Sequence, residues 1–139
     1  MNPRVIRGLA EVALRVDDLD ATQAFYEEVV GLELMERFDD RVPCTFFRIS
    51  EGVEGHTQVL ALFDRSDDPG FAGLSGEHTT VDHIAFGISK DDYAAEKERL
   101  QGLGLDVFTA EHEWVHWRSL YVRDPEGNVV EWVCHDPRV

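Results

Sequence analysis

The chain has 139 residues, 43% of them apolar, enough to bury a core in one compact domain and too many for a wholly disordered chain. Its formal charge of −15 argues against a nucleic-acid partner, because gripping phosphates needs a basic face. No apolar run reaches the roughly 18 residues of a membrane span, and residues 1–7 carry no signal-peptide pattern, so a cytoplasmic protein with no membrane partner is expected.

The first predicted strand is Glu11-Val12-Ala13-Leu14-Arg15-Val16, with Val12, Leu14 and Val16 on one face. An acidic start at Asp17-Asp18-Leu19-Asp20 leads into a helix near 20–30, with Phe25, Val29 and Val30 at helical spacing. Gly31 stops that helix and the chain re-enters a strand at Leu32-Glu33-Leu34. Strands follow near 44–49 and 57–63. Asp64 to Thr80, rich in Asp, Gly, Pro and Ser, reads as a linker.

The pattern then begins again. His83-Ile84-Ala85-Phe86-Gly87-Ile88 alternates as the first strand does, within a strand placed at 82–88, and a helix is expected near 91–103. Gly104-Leu105-Asp106-Val107 re-enters a strand, and strands near 118–122 and 129–134 close the chain around the turn Asp124-Pro125-Glu126-Gly127-Asn128. The fold class is therefore α+β: two βαβββ modules, about 9–64 and 81–134, joined by a linker at 65–80 within one domain. Paired, their mixed sheets curl around a shared cleft. Cys44 and Cys134 belong to no CxxC pair and are expected as buried free thiols.

If Val12, Leu14 and Val16 pack on the helix, then Glu11, Ala13 and Arg15 face the cleft, and so do His83, Ala85 and Gly87. Glu11 and His83 stand 72 positions apart at matching places in the repeat. Glu131 on the last strand joins this set. Its partner in the first module falls 72 or 73 residues earlier, at Val59 or Gln58, and Gln58 is the polar choice. A one-residue slip there would change the face. Glu11, Gln58, His83 and Glu131 together suit a divalent ion such as Fe, Mn, Ni, Co or Zn. Each residue alone has a simpler reading, as a hydrogen-bonded strand histidine or a solvent-facing carboxylate; the matched positions argue for the set.

The stretch Val16-Asp17-Asp18-Leu19-Asp20, with Phe25-Tyr26 and Val30-Gly31-Leu32-Glu33-Leu34 after it, resembles the first-module signature of the vicinal oxygen chelate superfamily (glyoxalase, bleomycin resistance protein, extradiol dioxygenase). Val81-Asp82-His83-Ile84-Ala85-Phe86 is similar to its DHIAF strand, and the run from Ser119 to Glu131 is similar to its ending, S-x-Y-F-x-DP-x-G-N-x-x-E. The resemblance implies metal ligands on the first and fourth strands of each module, which maps to His83 and Glu131, with Gln58 at a position that carries Glu or Gln in some members. Glu11 departs from the usual His. The resemblance also implies a homodimer and a small-molecule substrate.

His112, Tyr121 and Glu131 are spaced nine and ten residues apart, as in extradiol dioxygenases, where His and Tyr act on bound oxygen and catechol. Tyrosine before this turn also occurs across the superfamily. His112 and His116 sit in an aromatic stretch, residues 111–117, that would otherwise simply cap the cleft. Two function classes follow. One is a metal-dependent enzyme whose substrate chelates the ion through neighbouring oxygens, with Glu131, Tyr121 and His112 as catalytic candidates; a ring-cleaving dioxygenase is its narrower form. The other is a non-catalytic drug-binding protein with an aromatic cleft made by Trp114, Trp117, Phe46 and Phe47. A fosfomycin-type resistance transferase, suggested by Arg118-Ser119-x-Tyr121, is a third reading. Metal binding discriminates the first from the second.

Overall fold

The computed structural model describes residues 5–71 and 79–139. The described residues fall into two compact units that divide between these segments. Of the linker read at 65–80, residues 72–78 lie outside the described residues, and the rest forms neither helix nor strand. No described helix is long and apolar enough to cross a membrane.

In the first unit the strands are β1 (Glu11–Val16), β2 (Glu33–Phe38), β3 (Cys44–Ser50) and β4 (Gln58–Asp64), in the order β1-β4-β3-β2. β1 and β4 are parallel; the other pairs are antiparallel. The helix expected near 20–30 is an α-helix, α1 (Leu19–Ala24), that widens into a π-helix over Phe25–Val30. Asp18 caps it by accepting from the Ala21 N–H at 3.0 Å. Gly31 ends it at φ +85°, a left-handed conformation that a side chain would strain. Leu14, Val16, Leu60, Leu62 and Phe47 are buried with Phe25 and Tyr26 from the helix, and the Tyr26 and Phe47 rings lie 6.3 Å apart.

The second unit repeats this plan. Its strands are β5 (His83–Gly87), β6 (Phe108–His112), β7 (Trp117–Arg123) and β8 (Val129–His135), in the order β5-β8-β7-β6, with β5 and β8 parallel. Ser89 caps a single 3₁₀ turn at Lys90–Asp92 that leads into α2 (Tyr93–Gly102). Phe86, Leu120, Val122, Val130, Trp132 and Cys134 are buried together with Tyr93 and Leu100 of α2. Tyr93 fastens helix to sheet: its hydroxyl donates to the Ser119 carbonyl at 3.2 Å, and the Arg118 guanidinium lies 4.2 Å over its ring. Both cysteines are buried and free.

The aromatic stretch at 111–117 is not one loop. Glu111 and His112 end β6, Trp117 begins β7, and only a four-residue turn separates them. His112 and Trp117 are cross-strand partners, so the stretch is a hairpin.

The turn between β7 and β8 sets the register of the sheet's centre. Asp124 Oδ1 accepts from the Glu126 and Asn128 backbone N–H groups, both at 2.9 Å, and Oδ2 accepts from Asn128 Nδ2 at 3.0 Å. The Asp124 N–H reaches the Asn128 carbonyl at 2.8 Å, and Gly127 takes φ +86°. Asp124 is buried, so truncation strands several donors without partners. Asp124→Ala is expected to lower unfolding stability by about 1–3 kcal/mol, seen as a lower urea midpoint at unchanged slope. An unchanged midpoint would show that the turn does not anchor the sheet.

Candidate functional site

The site grows from the alternation of β5, β7 and β8. Ile84, Phe86, Leu120, Val122, Val130, Trp132 and Cys134 turn toward α2, which leaves the opposite face to His83, Ala85, Ser119, Tyr121 and Glu131. In the parallel pair, His83 is opposite Val129 and Ala85 opposite Glu131. Side chains opposite one another share a face, so His83 and Glu131 are diagonal neighbours. His83 Nε2 lies 3.5 Å from Glu131 Oε1.

Each of these side chains has a second partner. Asp82 Oδ1 is 2.7 Å from His83 Nδ1, which favours the tautomer with the proton on Nδ1 and leaves the Nε2 lone pair toward Glu131. Ser119 Oγ donates to Glu131 Oε2 at 3.1 Å. Glu131 is only 6% exposed, and a carboxylate so deeply placed needs such partners. Beyond Glu131 lies Tyr121, its direct cross-strand neighbour, whose ring meets His83 edge-on at 6.4 Å. His112 Nε2 is 3.2 Å from the Tyr121 hydroxyl. Burial pushes the Tyr121 phenol above its ordinary value; the Glu131 carboxylate adds to the rise and a hydrogen bond from Ser119 opposes it.

Two donors each about 2.1 Å from one ion, at a near-tetrahedral angle, stand about 3.4 Å apart. The His83–Glu131 separation fits that geometry, and an imidazole with a carboxylate suits a borderline or hard divalent ion. Among the described residues no group of three or more His, Cys, Asp or Glu side chains is gathered to hold a metal.

The first unit differs at the matching positions. Glu11 is exposed on the face opposite the helix, as its alternation predicts. Its partner on β4 is Val59, and Ala13 pairs with Ala61. Since Ala13 corresponds to Ala85, the residue that matches Glu131 is Ala61, not Gln58. The repeat offset falls from 72 on the first strands to 70 on the fourth, because the first unit is two residues longer between them. Gln58 alternates with Leu60 and Leu62 on the face away from Glu11, and its Oε1 accepts from Ser50 Oγ at 2.9 Å. The structure therefore does not bring Gln58 to Glu11. The aromatic set is also divided. Phe47 is wholly buried against Tyr26, and Phe46 packs between Phe38 and Phe63. Trp114 is 82% exposed, 6.2 Å from Trp117. Asp82 and Ser119, the outer partners of His83 and Glu131, escape a reading based on ligand types. Their only signals are adjacency to His83 and a two-residue step from Tyr121.

The family model for the glyoxalase/bleomycin resistance protein/dioxygenase superfamily matches residues 8–132. The chain belongs to that superfamily. Metapyrocatechase of Pseudomonas sp. (strain CF600) is 27% identical over 95% of the chain, which spans only 42% of that relative's length. A lactoylglutathione lyase from Agrobacterium tumefaciens is 30% identical, with a TM-score of 0.64 over 94% of this chain and 96% of that one. The fosfomycin resistance protein FosX from Listeria monocytogenes, solved with Mn(II) and sulfate ion, is 22% identical with a TM-score of 0.66, covering 96% of this chain and 97% of its own. At that identity the likeness to FosX is one of fold.

A raised phenol pKa means that folding favours the neutral form. Its contribution to stability is complete below the unfolded value of about 10 and falls as pH rises through the folded one. In a spectrophotometric titration, Tyr121→Phe is expected to remove a tyrosinate step lying above about pH 10. Loss of a step at or below that value would contradict the environment described for Tyr121.

Proposed function

We propose that this chain is a metal-dependent enzyme acting on a small substrate that chelates a divalent ion through two neighbouring oxygens. The observation that carries the reading is the 3.5 Å approach of His83 Nε2 and Glu131 Oε1, each held from behind by a hydrogen-bonding partner. A bound divalent ion supplies Lewis acidity to the chelated oxygens. The residues do the rest. His83 offers Nε2 because Asp82 occupies Nδ1. Glu131 offers Oε1, and a ligand carboxylate in that position can also take a proton from a carbon beside a chelated oxygen.

Within this class, the pairing of His112 Nε2 with the Tyr121 hydroxyl at 3.2 Å favours an extradiol ring-cleaving reaction. The phenol, kept protonated by burial, donates a hydrogen bond to a substrate oxygen, and His112 Nε2 is placed to accept or return a proton. The similarity to metapyrocatechase points the same way, although Glu11 replaces the histidine of the three-ligand pattern.

Calorimetric titration with Mn(II) or Co(II) tests the class. The wild type is expected to bind one equivalent, and His83→Ala or Glu131→Ala to weaken binding by about tenfold or more. Glu11→Ala in the same titration reports whether the first unit supplies a donor. A wild-type protein that binds neither ion would sink the metal reading and favour a plain binding protein. If binding holds, oxygen uptake with catechol and Fe(II) tests the narrower reading. His112→Ala should lower uptake by about a hundredfold or more while metal binding is kept; no uptake by the wild type would refute it.

A further inference from the structure

We propose that Ser119 is a positioning residue for Glu131, selecting which carboxylate oxygen faces His83; the inference deepens the metal reading above. Ser119 is fully buried on β7, so its hydroxyl is closed to any substrate and is free only to act on its neighbours. It lies two residues before Tyr121, the cross-strand partner of Glu131, so alternation puts its hydroxyl on the same face as the carboxylate. Oγ donates to Oε2 at 3.1 Å, while Oε1 is the atom 3.5 Å from His83 Nε2. The two oxygens are therefore not equivalent. One is occupied by a neutral donor that cannot leave the core, and the other is presented.

The backbone fixes the donor as firmly as its side chain. The Ser119 carbonyl accepts from the Tyr93 hydroxyl of α2, and Ser119 is centred in a strand paired on both sides, with Ala110 and Val133 as its partners. Ala110 is small and Val133 apolar, so neither cross-strand partner competes for Ser119 Oγ; the Tyr121 hydroxyl, on the same face, is its other polar neighbour, and the hydroxyl of Ser119 stands between Tyr121 and Glu131. Without the hydroxyl, Glu131 Oε2 becomes a buried acceptor lacking its donor, and rotation of the carboxylate toward Tyr121 or His83 is the available relief. Hydrogen-bond partners behind a metal ligand typically alter affinity ten- to a hundredfold.

Two measurements separate this inference from the reading it rests on. Metal-free crystal structures of the wild type, Ser119→Ala and Ser119→Thr test the positioning alone. Glu131 should turn Oε1 away from His83 in Ser119→Ala and keep its wild-type rotamer in Ser119→Thr. An unchanged carboxylate in Ser119→Ala would overturn the proposal. Co(II) titrations followed by the visible ligand-field spectrum test the consequence. Ser119→Ala should weaken binding by about 10–100-fold and alter the band shape, with Ser119→Thr restoring both. Wild-type affinity and spectrum in Ser119→Ala would overturn the proposal and leave the metal reading intact. Failure of the wild type to bind Co(II) would remove the metal reading, and the crystal structures would still decide the positioning.

Discussion

The parallel register of β5 against β8 is the constraint on which the candidate site depends. With Ala85 opposite Glu131, the one ring nitrogen of His83 left open by Asp82 meets one oxygen of Glu131. A slip of one residue would send Glu131 into the apolar layer under α2 and bring Trp132 out. That alternative exposes a large aromatic ring and buries an unpaired carboxylate, so the hydrophobic pattern of β8 itself holds the register. The antiparallel β7–β8 pairing then adds Tyr121 beside Glu131, and the side chain of Asp124 closes the turn that keeps those two strands aligned.

Burying Glu131 is unfavourable unless its oxygens have partners; Ser119 donates to Oε2, while Oε1 faces the His83 Nε2 lone pair across the gap where a cation would sit. The first unit keeps the scaffold and lacks the matching carboxylate. Its fourth strand carries Ala61 at the matching place, a methyl group with no donor. The two sheets share one strand order, and only the second holds a paired histidine and carboxylate. The contrast indicates that the polar pair is not required for this strand order to form.

Much of this was legible in the sequence because it rests on period-two alternation. The placing of Glu11, His83 and Glu131 on the sheet faces away from the helices follows directly from the apolar runs beside them, and the glycine stops at Gly31 and Gly104 both take left-handed φ. What escaped was length-dependent. Gln58 was favoured by carrying a single offset through the whole repeat, but the first unit gains two residues before β4 and has an irregularity between Arg48 and Ser50. Offsets survive along an uninterrupted strand and not across such features. The hairpin at His112 was obscured because alternation over a five-residue strand with exposed Phe108 resembles a loop. Asp82 and Ser119 were invisible for another reason: outer partners are chosen by geometry, and residue type alone does not single them out.

The account stands on His83 and Glu131 acting as one ligand pair. Anomalous diffraction from crystals grown with Mn(II) or Co(II) locates the ion without reference to any reaction. The account predicts a peak bonded to both His83 Nε2 and Glu131 Oε1, with Asp82 still on Nδ1. An ordered ion elsewhere, with His83 and Glu131 still facing each other across a vacant gap, would contradict it.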